Sequence, residues 1–281
     1  MYPRLFWDSY SYQARKIGYR EPLILLSYDS DTDEDAEASV SLYERLQKIG
    51  VPATFAVPGY QLERGAKKYR KLYKQGAKFI NHGGGAHTEW RGGRYWSINF
   101  YNEKSPDGVR KDIRAGHKIF RDVLGHEPIG FRAPHFGHFQ NDEALALIHD
   151  ELSQLGTYEF SSSSLAHRTR TRGPAIQFEG MLEIPILGTY QWPTRIFDSY
   201  GHLLSMENRK VGNSYASKWI ESVRDFQKHT IPALLNYYAD PSHIAGNADY
   251  FDALEQAKKM GVRFVDFDDV LSMAKRPLAK A

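Results

Sequence analysis

Residues 22–31 read PLILLSYDSD, an apolar run that ends in two aspartates one residue apart. Apolar residues without alternation, followed by polar ones, predict a strand of a parallel sheet. Asp29 and Asp31 follow this strand, and α/β folds place their chemistry at the carboxyl ends of strands. Because alternate residues of an extended chain share a face, we expect both carboxylates on the same side.

Seven further aliphatic or β-branched runs resemble this strand and alternate with helical patterns. They cover residues 51–57, 77–81, 128–132, 157–161, 182–187, 231–237 and 262–267. Apolar residues with helical spacing lie between them, at 35–49, 62–75, 107–124, 142–154, 214–229 and 248–260. This alternation predicts an α/β protein with a parallel sheet that closes on itself. No linker rich in Pro, Gly and Ser divides the chain, so we expect residues 1–281 to form a single domain.

Composition excludes several kinds of site. The 281 residues include eleven histidines and no cysteine, which rules out disulfides, cysteine-ligated zinc, iron–sulfur clusters and a thiol nucleophile. The net charge of +3 is too small to indicate a nucleic-acid partner. The apolar runs are far shorter than the ~20 residues of a membrane span, and the N-terminus lacks the apolar core of a signal peptide. We therefore expect a cytoplasmic protein with a histidine and carboxylate site.

The acidic run after the first strand has three interpretations. A calcium loop of the EF-hand type requires Gly at its sixth position and Glu at its twelfth, where Glu34 and Val40 stand. A phosphotransfer aspartate of the haloacid dehalogenase type requires Thr or Val at the fifth position, which Asp33 occupies. Acids at a helix start, favoured by the helix dipole, suit residues 33–37 but not the two aspartates of the strand end.

Two histidines follow another predicted strand, in the stretch INHGGGAHTEW at residues 80–90. His82 and His87 would lie roughly 140° apart on a regular helix, so a helix would not aim both at one ion. The three glycines between them allow the backbone to turn and bring the rings together. With a carboxylate from the first strand, the two histidines form the ligand set of a catalytic divalent metal site with open positions.

These motifs resemble those of the polysaccharide deacetylases of carbohydrate esterase family 4, and the branch with an Asp-x-Asp first motif is the most similar. The resemblance covers SYDSD at 27–31, NHGGGAH at 81–87, FRAP at 131–134, LEIP at 182–185 and LLNYYADPSHIAGN at 234–247. The family fold is a distorted (β/α) barrel of seven or eight mostly parallel strands. That fold agrees with the alternation of strands and helices in this sequence.

The resemblance implies a divalent metal held by Asp31, His82 and His87, with zinc as the first expectation and cobalt, manganese or nickel as alternatives. It also implies that Asp29 is the general base for the attacking water and that Arg132 orients this base. A guanidinium paired with Asp29 would hold the carboxylate in place and keep it ionised.

The spacing of the second histidine departs from the family. His87 stands one residue later than the usual His-x-x-x-His pattern allows, so His135 and His138 remain alternatives as the third ligand.

The late motif also departs, because it has Tyr238, Ala239 and Asp240 where the family has a histidine that serves as general acid. His243 is then the best remaining candidate. Without an acid, expulsion of the amine slows by ~10²- to 10⁴-fold, so a relative that binds glycans without cleaving them stays open.

Two long irregular stretches, 83–105 and 188–213, are typical of functional loops. Aromatic rings suit the apolar faces of sugars, and arginines suit carboxylates or phosphates. We expect substrate contacts from Trp90, Trp96, Pro134, His135, Trp192 and Arg195. Alternating Arg168, Arg170 and Arg172 would form a basic row if that piece were extended, and the bases between residues 64 and 78 leave open a contact with an anionic membrane surface.

The expected function is a metal-dependent hydrolytic deacetylase that removes an acetyl or formyl group from an amino sugar. A cytoplasmic setting, in the cytoplasm itself or at the inner membrane surface, favours a polysaccharide or surface-glycan precursor of the O-antigen or capsule type, nucleotide-linked or lipid-linked. The alternatives are an amidohydrolase for a small non-sugar amide and a catalytically degenerate glycan-binding relative.

Overall fold

A computed structural model of the chain describes residues 3–136 and 141–275. The strands are β1 (Leu23–Asp29), β2 (Thr54–Val57), β3 (Lys78–Asn81), β4 (Thr88–Arg91), β5 (Arg94–Ser97), β6 (Gly130–Phe131), β7 (Phe160–Ser161), β8 (Ile176–Phe178), β9 (Met181–Glu183), β10 (Leu234–Ala239) and β11 (Arg263–Val265). The helices are α1 (Pro3–Lys16), α2 (Asp33–Ile49), α3 (Gly59–Arg64), α4 (Ala66–Lys74), α5 (Pro106–Leu124), α6 (Asp142–Leu155), α7 (Thr169–Arg172), α8 (Asn213–Lys228), α9 (Pro241–Ile244), α10 (Ala248–Lys259) and α11 (Phe267–Ala274).

A curled sheet of mostly parallel strands forms the barrel. Its order is β10–β1–β2–β3–β6–β7–β9–β8, and β11 pairs with the first half of β1. Each of the eight predicted strands has a counterpart in this sheet, and β8 adds an antiparallel partner for β9. The structure therefore confirms the α/β class and the distorted (β/α) barrel.

The barrel closes where the chain after β9 meets β10, and we call this junction the seam. The barrel is distorted because a few hydrogen bonds join the two sides of the seam instead of a regular ladder. The side-chain amide of Asn236 on β10 donates to the carbonyl oxygens of Ile184 and Pro185 at 3.0 and 3.1 Å. The backbone N–H of Leu187 donates to the carbonyl oxygen of Asn236 at 3.0 Å. One buried amide thus joins the chain after β9 to β10.

Helix α1, which the sequence did not predict, packs beside this seam. The indole of Trp7 is buried and donates to the carbonyl oxygen of Tyr190 at 2.8 Å. The hydroxyl of buried Tyr10 accepts the backbone N–H of Leu234 at 3.1 Å, directly before β10 continues into the sheet. The helix therefore fixes both the first residue of β10 and the start of the irregular stretch 188–213.

The acidic and basic runs of the sequence face each other across α2, α3 and α4. Arg64 pairs with Asp33, Lys68 with Glu37 at 2.7 Å, and Lys71 with Glu44 at 3.7 Å. These bases therefore have acidic partners within the protein. Among the described helices, none combines the length and apolar character that a membrane crossing requires.

Two local predictions are wrong. The predicted helix 62–75 is divided into α3 and α4 at Gly65, whose Cα lies so close to the Tyr69 ring that a Cβ would stand 2.5 Å from it. The predicted basic row does not exist, because residues 166–172 form helical turns in which alternate residues do not share a face. Arg168 pairs instead with Asp142 at the start of α6.

Candidate metal and catalytic site

The carboxyl ends of β1, β3, β6 and β10 bring the sequence motifs together. Asp29 ends β1, His82 directly follows β3, Arg132 follows β6 and Asp240 follows β10. These ends converge because the strands are parallel neighbours in one curled sheet. The site therefore lies where the fold class places it.

Asp31, His82 and His87 form a cluster that fits a cation. One ligand atom from each lies within 4.8 Å of the others. His87 Nδ1 is 3.0 Å from Asp31 Oδ1, and His82 Nε2 is 3.8 Å from the same oxygen. Apart from these ion-pair contacts, buried Asp31 Oδ1 and both ring nitrogens of His87 have no hydrogen-bond partner among the described residues, a costly state that a shared ion would relieve.

The orientation of His82 also suits a metal ligand. Its Nδ1–H donates to the carbonyl oxygen of Arg132 at 2.8 Å, which leaves the lone pair on Nε2, the nitrogen facing Asp31. A histidine that ligates a metal ordinarily has such a second hydrogen bond to fix its tautomer and ring direction. Burial lowers the pKa of His82 well below its ordinary value, so the ring is neutral as a ligand must be.

The glycine loop brings the second histidine back to the first, as the sequence predicted. Asp112 on α5 accepts the backbone N–H groups of Gly84 and Gly85 at 3.1 and 3.0 Å. A Cβ on Gly84 would lie 2.6 Å from Ala115 Cβ, so the loop needs glycine to approach α5. The ring centroids of the two histidines are 4.4 Å apart as a result.

Electrostatics favour an ionised Asp31. Burial alone would raise the pKa of Asp31, but the interactions with His87, His82 and His135 together outweigh burial and hold it below its ordinary value. Burial alone would lower the pKa of His87, but the carboxylates of Asp31, Asp112 and Asp29 together outweigh burial and raise it. Without a cation, the pair therefore favours a negatively charged Asp31 next to a proton on His87. A bound cation would take the place of that proton.

Asp29 and Arg132 form a buried pair next to this cluster. Nη1 of fully buried Arg132 donates to Asp29 Oδ1 at 2.5 Å, and Nη2 donates to Ser27 Oγ at 2.8 Å. Asp29 Oδ2 lies 3.7 Å from His82 Nε2. Burial raises the pKa of Asp29 to about 6 although Arg132 opposes it. One oxygen is thus fixed by the guanidinium while the other faces the metal cluster.

Glu183 of the LEIP motif holds the loop that contacts Arg132. Glu183 is buried and accepts the backbone N–H groups of Ser163 and Ser164, each at 2.8 Å. The preceding Ser162 accepts from Arg132 through both its hydroxyl and its carbonyl oxygen at 3.3 Å. The glutamate therefore shapes the loop that holds the arginine, a role that the sequence alone did not indicate.

A pocket of 280 Å³ opens over these groups. Asp29, Asp31 and His82 line its base, and the loop 188–213 contributes Asp198 and Arg209 to its wall. Reasoning from the sequence missed these last two residues. Their only signal was their position in an irregular stretch.

The late motif is arranged differently from the expectation. Asp240 and Tyr238 line the pocket. His243 is buried behind Ser199, with Nδ1 2.9 Å from Ser199 Oγ, and lies outside the pocket lining that the described residues form. The structure therefore does not bring His243 to the reacting groups.

The expected alternatives to His87 have separate positions. His135 lines the pocket, with a ring centroid 5.6 Å from that of His87 and a backbone φ of 53°. Its Nε2–H donates to the carbonyl oxygen of Ile98 at 2.7 Å. His138 lies outside the described residues.

The predicted substrate contacts are dispersed. Trp90 and Trp96 lie on the β4–β5 hairpin at the rim, 55% and 46% exposed, and Pro134 is buried beside His135. Trp192 and Arg195 line a neighbouring cavity of 390 Å³, whose wall shares Ile196 with the pocket. The last two residues therefore do not contact a molecule confined to the pocket.

Fold and site together define a class of protein, a (β/α) barrel with an Asp/His/His cluster and a buried Asp–Arg pair at its strand ends. The family model "Polysaccharide deacetylase" matches residues 16–154, which include the first three motifs. The chain belongs to the polysaccharide deacetylase family. Comparison with curated protein sequences finds no significant match. The Asp-x-Asp branch stays a prediction.

Three solved structures illustrate the similarity of fold. A candidate polysaccharide deacetylase from Mycobacterium smegmatis has a TM-score of 0.65 and 17% identity, over 94% of both chains. The allantoinase PuuE has a TM-score of 0.60 and 14% identity, over 93% of both chains. A family 4 acetyl xylan esterase from Clostridium thermocellum, in complex with cobalt, has a TM-score of 0.53 and 17% identity, over 91% of this chain and 93% of its own.

Proposed function

We propose that the protein is a metal-dependent deacetylase that hydrolyses the acetyl or formyl amide of an amino sugar. Family membership supports the class of reaction. The observation that carries the proposal is the placement of the ligand atoms of Asp31, His82 and His87 beside the Asp29–Arg132 pair, at a pocket that Asp29, Asp31 and His82 line. Such a set provides both a cation site and a carboxylate base.

Asp31, His82 and His87 would hold the cation. Two histidines and one carboxylate are typical of hydrolytic zinc sites, so zinc is the first candidate and cobalt, manganese and nickel are alternatives. The cobalt complex of the Clostridium thermocellum esterase supports a divalent metal in this fold. When bound, the cation would polarise the acyl carbonyl and lower the pKa of water.

Residues of the chain would carry out the remaining steps. Asp29 Oδ2 accepts a proton from the attacking water, while Arg132 holds Oδ1 and keeps the carboxylate oriented. The raised pKa of Asp29, about 6, brings this base close to neutral pH. The rings of Phe100, Phe136 and Tyr238 line the pocket and restrict the access of other water.

The pocket volume limits the substrate. At 280 Å³ it is close to the lower bound of roughly 300–1,000 Å³ for small-molecule sites, so it encloses about one sugar ring. Trp90 at the rim is the proposed stacking surface for a second ring. This size supports a glycan precursor as substrate, and it equally favours the second candidate, a small non-sugar amide.

The setting and the carrier of the substrate are also proposals. We place the reaction in the cytoplasm, on a nucleotide-linked or lipid-linked precursor of an O-antigen or capsule type. In the run between residues 64 and 78, Arg64, Lys68 and Lys71 pair with acids on α2, which lowers the positive charge available there for an anionic group. An anionic carrier group would therefore meet other cations, such as Arg195 in the neighbouring cavity.

The test is release of acetate or formate from a panel of free, nucleotide-linked and lipid-linked N-acyl sugars and small amides, with added zinc, cobalt, manganese or nickel. We expect release from at least one N-acyl sugar and none after chelation. Release from small amides alone would favour the second candidate. A protein that binds metal and glycan but releases nothing would be the degenerate relative.

A further inference from the structure

Asp240 stands beside Asp29 on the neighbouring strand. The ladder between β1 and β10 ends with Tyr28 opposite Ala239, so the next residue of each strand occupies a matching position. Both of these next residues, Asp29 and Asp240, line the same pocket. The site thus has a second carboxyl group next to the base, at the exit of the neighbouring strand.

Two hydrogen bonds through Ser199 and a close contact with His243 fix the position of Asp240. Its backbone N–H donates to Ser199 Oγ at 2.9 Å, and that hydroxyl lies 2.9 Å from His243 Nδ1. The other nitrogen of the imidazole, Nε2, is 3.3 Å from Asp240 Oδ2. Burial, together with Arg209 and Lys210, lowers the pKa of His243 well below its ordinary value, so the ring is neutral. His243 therefore faces Asp240 and not the substrate.

The charges around Asp240 favour its protonated form. Burial and the carboxylate of Asp35 on α2 raise its pKa well above the ordinary value, and Asp31 and Asp29 at the end of β1 act in the same direction. Arg209 opposes them from the loop, with Nη2 3.4 Å from Asp240 Oδ2. A neutral carboxyl group in a pocket of carboxylates is a proton donor, as in other acid–base pairs whose surroundings separate their pKa values.

We propose that Asp240 donates the proton to the leaving nitrogen and that His243 is a positioning residue. This inference rests on the proposed hydrolysis of an amide. Water adds to the acyl carbon and gives one proton to Asp29. The C–N bond breaks as the nitrogen takes the proton of Asp240, which yields the amine and the carboxylic acid. The proton on Asp29 then passes to solvent, and Asp240 regains one from water.

The test compares two probes that share an acetyl and a nitrophenyl group, 4-nitroacetanilide and 4-nitrophenyl acetate, in the metal-loaded enzyme. Nitrophenolate leaves without a proton, whereas the anilide nitrogen needs one. For Asp240→Asn we expect the anilide rate to fall by ~10²- to 10⁴-fold and the ester rate by less than about tenfold. Retained ester turnover also shows that the variant is folded and loaded.

Two further variants separate donor from positioning residue. Asp240→Glu should recover part of the anilide rate. His243→Gln should keep anilide turnover but shift the alkaline limb of its pH profile, because the neighbour of the donor has changed. If His243→Gln instead produced the selective loss of anilide turnover and Asp240→Asn did not, His243 would be the donor.

Other outcomes overturn the inference or the proposed function separately. Equal losses on ester and anilide, or no loss on either, would remove Asp240 as donor. A wild-type enzyme that cleaves the anilide but no N-acyl sugar would contradict the proposed sugar substrate. The comparison of variants on the anilide would still decide whether Asp240 is the proton donor. Inactivity on both probes and on every N-acyl sugar, with metal bound, would overturn the two together.

Discussion

Asp29 and Asp31 are separated by one residue and have different roles at this site. Asp29 is fixed by Arg132, whereas Asp31 Oδ1 lies 3.0 Å from His87 Nδ1, within the cluster that fits a cation. A carboxylate that donates its charge to an ion is a poor base, and one held by a guanidinium beside that ion can accept a proton. The division follows from what each carboxylate contacts.

We predict that Asp29→Asn lowers turnover by at least ~10²- to 10⁴-fold and leaves metal content unchanged, because only the base is removed. The measurement is metal per chain by elemental analysis, together with acyl release. Asp31→Asn is the matched variant, and it should lose both metal and activity. Loss of metal from Asp29→Asn would reverse the assignment of base and ligand.

Residues at strand ends could be predicted from the sequence, but residues beyond them could not. Asp29, His82 and Arg132 directly end or follow buried strands, so the parallel sheet alone brings them together. His243 illustrates the limit. Pro241 begins a helical turn straight after β10, which leaves Asp240 at the strand exit and rotates His243 behind Ser199. No spacing in the sequence indicates that rotation.

The β4–β5 hairpin is the element that connects the pocket to solvent. Thr88 pairs with Ser97 and Trp90 with Tyr95, so these four side chains share a face. Thr88 and Ser97 line the pocket, and Trp90 therefore continues the pocket side outward. Trp96 pairs with Glu89 and lies on the opposite face.

We predict that Trp90→Ala weakens the apparent affinity for an N-acetylglucosamine oligomer by about 0.5–1.5 kcal/mol, which is roughly 2- to 12-fold in KM. The reason is the loss of a ring that a second sugar can stack on. Steady-state kinetics on a disaccharide and a monosaccharide would measure it, and the monosaccharide should respond little.

Trp96→Ala is the control, since it removes a ring of similar exposure from the face that points away. Its ring stacks against Arg94, with the guanidinium 3.7 Å from the centroid. Equal effects of the two substitutions would mean that the hairpin acts through its stability and not through a sugar contact.

Elements were predicted well where burial dictates the pattern. The eight parallel strands are apolar runs, and each has its counterpart. Helix α1 was missed because it has no acidic residue in its first turn and begins at Pro3 without a described side-chain cap. Strands β4, β5 and β8 were missed because most of their residues are exposed or half-buried, so no buried face gives them a continuous apolar run. Short exposed strands leave little periodicity to detect.

At the scale of the whole molecule, the acidic and basic runs of the sequence form ion pairs with other parts of the chain. The acids of α2 neutralise bases on α3 and α4, and Lys78 pairs with Asp268 at 2.6 Å. An acidic excess lies instead at the barrel mouth, where Asp29, Asp31 and Asp198 line one pocket. A near-neutral chain thus concentrates negative potential where a cation is expected.

A cation at this position would tie together the end of β1 and the loop after β3, which are separate in sequence. We therefore predict that zinc raises the melting temperature. An ion at one hundred times its Kd adds about 2.7 kcal/mol to the free energy of unfolding, or about 5 °C for a domain of this size. Differential scanning fluorimetry with zinc, manganese and chelator would measure the shift.

Asp31→Asn decides whether this shift belongs to the proposed site. Without metal the variant should melt somewhat below the wild type, because the substitution removes the carboxylate that pairs with His87. The decisive quantity is therefore the change that zinc causes in each protein, and in this variant it should be almost zero. Asp8→Asn, which alters an exposed acid on α1, should respond to zinc as the wild type does. A full shift that persisted in Asp31→Asn would place the stabilising ion elsewhere on the protein and would separate metal binding from the chemistry proposed at the barrel mouth.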